Sequence, residues 1–243
     1  MQHEGGCYGD CYAAKSAKLY GYDFSKTVLR DFESEAHKRK ILAGINKIKL
    51  PFVRIGCSGD PSENWEHCFK ILKTVAMCNK EIVIITKHWT LLNAEQLKQL
   101  SLMNICINTS VSALDNPDQL SKCLEQYRLI KQYCKSILRI VSCDFNLDNE
   151  TGFQLAMIQK SLFQNESTLD TVFRPSKNSP YITDGIINVS KGKFNGNIQL
   201  MSKHSRKTYT GKCSTCHEMC GVTIKTDDHY PEKPGIIKQL KLL

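Results

Sequence analysis

The chain has 243 residues, 41% of them hydrophobic, and a formal net charge of +9, which allows one large α/β domain, or one with a small appendage, around a real core. No run reaches the ~18 apolar residues of a membrane span, and Met1-Gln2-His3-Glu4-Gly5-Gly6 lacks the basic and apolar parts of a secretion signal. The expectation is a soluble cytoplasmic protein without membrane partners, whose twelve cysteines are not a disulfide framework because the cytosol keeps thiols reduced.

The chain opens on Cys7-Tyr8-Gly9-Asp10-Cys11-Tyr12-Ala13-Ala14-Lys15, a compact loop with two thiols four residues apart. Thiolates are the ligands that soft metals and iron–sulfur centres select. Asp23 and Ser25 offer caps for a helix over about 25–44, on which Val28, Leu29, Phe32, Ala36 and Ile41 recur at near-helical spacing. Ile48 to Ile55 reads as a buried strand, ending in Gly56-Cys57-Ser58-Gly59-Asp60-Pro61. Helical spacing resumes from Glu63 to about Met77, and Glu81 to Thr86 is a β-branched run too short for a helix. Asn93 caps a short helix, Asn104 to Thr109 is a strand, and Asn116-Pro117 opens a helix to about Tyr133. Ser136 to Ser142 is a strand, 150–164 a helix, and Thr171 to Arg174 the last strand of the series.

Strands that alternate with helices predict parallel βαβ units. About six such units are too few for a closed eight-fold barrel, so the expected fold is α/β, an open or partial (β/α) barrel. Chemistry then belongs at the carboxyl ends of the strands, where Cys57, Gly59, Asp60, Lys87, Ser110, Cys143, Asp144, Arg174 and Ser176 stand. Cys68, Cys78, Cys106, Cys123 and Cys134 fall in apolar-periodic stretches and are expected to pack as small hydrophobes. His88, after a strand, is open to a substrate contact but is expected first as a packed loop histidine.

From about residue 178 the pattern weakens. The predicted division is 1–180 for the barrel and 181–243 for a small cysteine-bearing C-terminal region. That region carries Cys213-Ser214-Thr215-Cys216-His217-Glu218-Met219-Cys220, a Cys-x2-Cys-x3-Cys motif. Three thiolates and a fourth ligand from elsewhere suit a 4Fe–4S cluster or a tetrahedral zinc. Residues 188–243 also hold ten Lys/Arg against four Asp/Glu. Without aromatic interleaving, this basic stretch reads first as a solvated surface and second as a site for an anionic partner.

The Cys-Tyr-Gly-Asp-Cys-Tyr-Ala loop, the Gly-Cys-Ser-Gly-Asp-Pro turn and the late cysteine motif together resemble the radical S-adenosylmethionine superfamily. They are most similar to a group of its members found in phages and mobile elements. The resemblance covers roughly residues 5–175. It implies a 4Fe–4S cluster at a Cys-x3-Cys-x2-Cys loop, S-adenosylmethionine as cosubstrate, an electron donor, and hydrogen abstraction from a substrate, with peptide and nucleic acid both open. By that pattern Cys7 and Cys11 would be the first two cluster ligands, with Tyr12 in the aromatic slot. Gly59, Asp60 and Pro61 would match the turn whose backbone meets the methionine amino group. Asn108, Ser110 and Arg139 resemble the residues that hold ribose and carboxylate. The late motif, Cys213, Cys216 and Cys220, would be an auxiliary cluster or a zinc site.

Two departures accompany the resemblance. The third cysteine of the loop should stand at position 14, which is Ala14. Either another ligand, such as Cys57 or Cys143, replaces it, or the copy has lost one. The superfamily also places a strand before the loop, and six residues precede Cys7, so either that strand is very short or the chain starts late. The alternative is a metal-stabilised binding module on a degenerate barrel, binding nucleic acid through its basic tail.

Overall fold

The computed structural model describes residues 17–23, 26–29, 32, 34–56, 59–165, 168–176, 178–189, 192–194, 197–199 and 219–222. Its body is a five-stranded parallel sheet. The strands are β1 (Phe52–Ile55), β2 (Glu81–Thr86), β3 (Ile105–Val111), β4 (Lys135–Ser142) and β5 (Thr168–Val172), and they lie side by side in sequence order. Between them run α2 (Trp65–Val75), α3 (Ala94–Ser101), α4 (Pro117–Ile130) and α5 (Glu150–Phe163), with α1 (Glu35–Asn46) ahead of β1. The chain is thus α/β, with an all-parallel sheet alternating with helices. Among the described residues no helix is long and apolar enough to cross a membrane.

The helices start where short polar side chains can satisfy free backbone N–H groups. Asn93 closes a capping box with Gln96 on α3, while Asn64, Asn116 and Asn149 cap α2, α4 and α5. The helix expected over 25–44 differs from that expectation. It begins at Glu35, where the Ser34 side chain accepts from the His37 backbone N–H. Val28 and Leu29 point away from the core, at 73% and 49% exposure. Their helical spacing misled because it was not matched by a face to bury.

Strand alternation divides the sheet's side chains between two faces. One face carries Ile82, Ile84, Ile105, Ile107, Val111, Leu138 and Ile140 and is covered by the helices. Leu72 of α2, Leu100 of α3 and Cys123, Tyr127 and Ile130 of α4 are buried there. Burying such a Leu or Ile contributes about 1.5–3 kcal/mol, so this helical face is the main store of stability. The predicted hydrophobic cysteines behave as such: Cys68, Cys78, Cys106 and Cys123 are buried and Cys134 is half-buried.

The other face carries Phe52 and Arg54 on β1, Val83 and Ile85 on β2, and Cys106, Asn108 and Ser110 on β3. Ile137, Arg139 and Val141 continue it on β4, with Leu169 and Thr171 on β5. Cys220 and Val222 pack onto it against Val83 and Leu169. At the carboxyl ends of β3, β4 and β5 a separate apolar cluster forms from Ala113, Leu114, Cys143, Phe145, Phe173 and Ile187. A short helix α6 (Pro180–Thr183) and an antiparallel bridge between Phe145 and Ile187 join residues 180–188 to that end. Beyond it, β6 (Gly192–Phe194) and β7 (Asn197–Gln199) form an antiparallel pair.

Candidate functional site

The turn after β1 is held by one carboxylate. Asp60 Oδ1 accepts from the Ser62 backbone N–H (3.0 Å), the Ser62 hydroxyl (2.7 Å) and the Thr86 hydroxyl (2.6 Å), and Oδ2 accepts from the Lys87 backbone N–H (2.7 Å). Asp60 therefore latches the β1 exit to the β2 exit. Ser62 passes the connection on by accepting from the Trp89 N–H at 2.8 Å. Gly56 is required beside it. Its φ is +90°, and a Cβ there would overlap the carbonyl oxygen of Ile85. Gly59, by contrast, is exposed and, among the described residues, has no atom within 4 Å of where a Cβ would stand. Pro61 opens a single 3-10 turn, Pro61–Asn64. Of the predicted Gly59-Asp60-Pro61 trio, the backbone at Gly59 is open to solvent and the Asp60 side chain is engaged by the protein.

Next to this latch lies an ion pair that the sequence did not announce. Lys87 Nζ reaches Asp115 Oδ1 at 2.6 Å and Oδ2 at 2.5 Å, with both side chains at least 95% buried. Asp115 Oδ2 also accepts from the Ser112 N–H at 2.8 Å. The Lys87 carbonyl accepts from Gln119 and from the Cys123 thiol, both at 2.8 Å. His88 follows in the left-handed region (φ 50°) and is 1% exposed. Its Nε2 lies 3.0 Å from the Thr109 hydroxyl, and its ring lies 6.1 Å from that of Trp65. Burial pushes the imidazole down to about 4, with the Asp60 carboxylate pulling the other way. His88 is a packed loop histidine, as its place in the sequence suggested.

The polar face of the sheet is where predicted residues meet. Asn108, Ser110 and Arg139 lie on it, Ser110 paired in register with Arg139. Asn108 is fully buried, whereas Ser110 and Arg139 are half-buried. The Asn108 amide donates to the Cys220 carbonyl at 2.8 Å and more distantly to Cys106 Sγ at 3.6 Å. Arg139 Nη1 donates to Cys220 Sγ at 3.4 Å. Two residues expected to hold a cosubstrate thus touch one expected to hold a metal. Among the described residues Asn108 Oδ1 is buried with no hydrogen-bond partner. The segment that brings Cys220 here is tightly built. Cys220 has φ 56°, Gly221 has φ 86°, and a Cβ on Gly221 would overlap Ile137 and come within 2.7 Å of Cys106 Sγ. Burial pushes the Cys106 thiol up to about 12, so it sits here as a neutral, hydrophobic group.

Cys7, Cys11, Cys213 and Cys216 lie outside the described residues, as do Cys57 and His217. Cys143 is 1% exposed inside the apolar cluster at the strand ends, and burial, reinforced by Asp144 and Asp170, pushes its thiol well up. Among the described residues no group of three metal-ligating side chains comes together. On this face the Arg139 guanidinium and the Ser110 hydroxyl stand on neighbouring strands, and Cys220 and Val222 lie against it beside Asn108. No protein-family model, curated protein or solved structure matches the chain.

Proposed function

We propose that the chain is a radical-SAM-like iron–sulfur enzyme on a partial (β/α) barrel, which reductively cleaves S-adenosylmethionine and modifies a substrate by hydrogen abstraction. The observation that carries this reading is the one-sided winding of the sheet. Five parallel strands lie in sequence order, helices cover one face, and Asn108, Ser110 and Arg139 share the other. A twisted sheet wound this way curls toward a barrel whose interior is the face turned away from the helices.

In this reading Cys7 and Cys11 hold a 4Fe–4S cluster, which when bound supplies the electron that breaks the sulfonium bond. The chain's own residues bind and orient the cosubstrate. The Gly59-Asp60-Pro61 turn presents backbone to its methionine end, with Asp60 fixing that turn to β2. Arg139 offers charge to the carboxylate, and Asn108 and Ser110 offer polar atoms to the ribose. Ile85, Ile137 and Leu169 keep the surrounding face dry. An external electron donor and a peptide or nucleic-acid substrate complete the reaction.

Two observations favour a second reading, a metal-stabilised binding module without radical chemistry. Position 14 is Ala14, and residues 219–222 lie over Asn108 and Arg139. The deciding experiment is anaerobic reconstitution of the wild type and Ala14→Cys, with iron, sulfide and zinc analysis and an assay for 5′-deoxyadenosine. Ala14→Cys is expected to gain about one cluster and to cleave the cosubstrate. Absence of cleavage by both fully reconstituted proteins would falsify the radical reading in favour of the binding module.

A further inference from the structure

We propose that residues 219–222 are an autoinhibitory plug: they cover the polar face at Asn108 and Arg139 and give way when S-adenosylmethionine takes these two residues. This rests on reading that face as the cosubstrate site, and it adds that the chain itself competes with the ligand.

The plug lies across the middle of the sheet. Cys220 and Val222 share an apolar cluster with Val83 of β2 and Leu169 of β5. Between those strands, the Asn108 amide of β3 donates to the Cys220 carbonyl at 2.8 Å, and Arg139 Nη1 of β4 donates to Cys220 Sγ at 3.4 Å. A ligand that took Asn108 and Arg139 would therefore stand where Cys220 stands. Ser110, in register with Arg139 and half-buried, lies two residues nearer the carboxyl end of β3.

Each polar contact of the plug leaves something that a ligand improves. The Arg139 guanidinium donates to a sulfur, a weak acceptor, whereas a carboxylate accepts charge-assisted and two-pronged hydrogen bonds. The Asn108 amide is half used: its nitrogen donates, while Oδ1 is buried without a hydrogen-bond partner among the described residues. A ribose hydroxyl can donate to that oxygen. Cys220 is held at φ 56°, an uncommon conformation for a residue with a Cβ, which relaxes when the segment leaves. Against these gains stand the apolar contacts of Cys220 and Val222, 7% and 2% exposed, which keep the plug seated while no ligand competes. The ligand thus favours one state of the chain over the other, which is what a shift between two states requires. Gly221 is where the plug can be loosened. At φ 86°, a Cβ there would overlap Ile137 and come within 2.7 Å of Cys106 Sγ, so a branched side chain would unseat the segment with Asn108 and Arg139 unaltered.

The test uses the anaerobically reconstituted full chain and S-adenosylhomocysteine, which carries the carboxylate, amino group and ribose but no sulfonium to cleave. Calorimetry reads its affinity, and amide hydrogen exchange reads the peptide that contains residues 219–222. In wild type, saturating ligand is expected to speed exchange at 219–222, the reverse of the protection given where a ligand lies over a segment. Gly221→Val should tighten binding by about 10-fold or more, the gain when the competent state is about 10% populated or less in wild type. Val222→Ser, which gives up an apolar contact of the same segment, should act in the same direction. A segment with a structural role alone would give equal or weaker binding when loosened. Binding seen in the variants alone would support the plug. Unchanged or slower exchange in ligand-saturated wild type, or no tightening in either folded variant, would overturn it and leave the cosubstrate reading standing. If neither variant folds, the wild-type exchange decides. No binding by wild type or by either folded variant would overturn the cosubstrate reading and the plug with it.

Discussion

Replacing Asp60 with Ala removes the four hydrogen bonds described above at once, and their geometry sets what the change costs. Two donors are hydroxyls, of Ser62 and Thr86, which can rotate toward other acceptors. The other two are the backbone N–H groups of Ser62 and Lys87, residues 0% and 2% exposed, which cannot turn away. Each stranded buried donor costs about 1–3 kcal/mol, so the change should destabilise the metal-free protein by about 2–6 kcal/mol. That is a large share of the roughly 5–15 kcal/mol typical of a folded domain. Asp60→Asn keeps one acceptor oxygen and should lose about half as much. Urea unfolding followed by far-UV circular dichroism, extrapolated to water, reads both values. An Asp60→Ala variant within about 0.5 kcal/mol of wild type, the usual scatter of surface substitutions, would refute the latch. The same variants separate structure from recognition. Loss of S-adenosylmethionine binding at undiminished stability would assign the carboxylate to the ligand, and loss of both assigns it to the turn.

Two further tests address buried charge. His88 titrates near 4 when folded and near 6.5 when unfolded, so between these values the unfolded chain binds the extra proton. The stability due to neutral His88 is therefore complete above about 6.5 and is lost as pH falls toward 4, by about 3 kcal/mol in all. His88→Asn, which tolerates the left-handed backbone, should remove that slope from unfolding free energies measured at several pH values, and an unchanged slope would reject the assignment. Lys87→Met should cost about 3–5 kcal/mol because it leaves Asp115 buried without its cation. Lys87→Met/Asp115→Leu should recover much of the loss in the same urea assay, and additive losses in the double variant would show the pair is uncoupled.

Short-range signals in the sequence were read well. Glu81–Thr86 is a strand over the very residues whose β-branched run predicted it, and Asn93 and Asn116 cap the helices they were expected to open. Periodicity failed at Val28 and Leu29, because spacing alone does not show whether a face exists to receive the side chains. The strand-end rule drew attention to Lys87 and Asp60 but gave no partner for either. Asp115 and Thr86 become partners only when parallel strands bring together positions 28 and 26 residues apart in the chain. The placement of Cys220 beside Asn108 and Arg139 was least legible. Local pattern marked each residue separately, and nothing local encodes a contact across 112 residues.

That long-range contact also bears on how the chain is made. β5 is complete at Val172, and among the described residues Cys220 and Val222, far later in the chain, pack on the face turned away from the helices. At ribosomal speeds of about 5–20 residues per second, roughly fifty further residues take several seconds. In a sheet already assembled during that interval, Val83, Ile85, Ile137 and Leu169 would form an apolar strip without its contacts to Cys220 and Val222. The strip carries Arg139, Asn108 and Ser110 among its apolar side chains, and charged or polar neighbours of this kind discourage sheet-to-sheet association. Residues read first as a binding face would then also keep the nascent chain from pairing with its neighbours before its own C-terminal segment returns to close it.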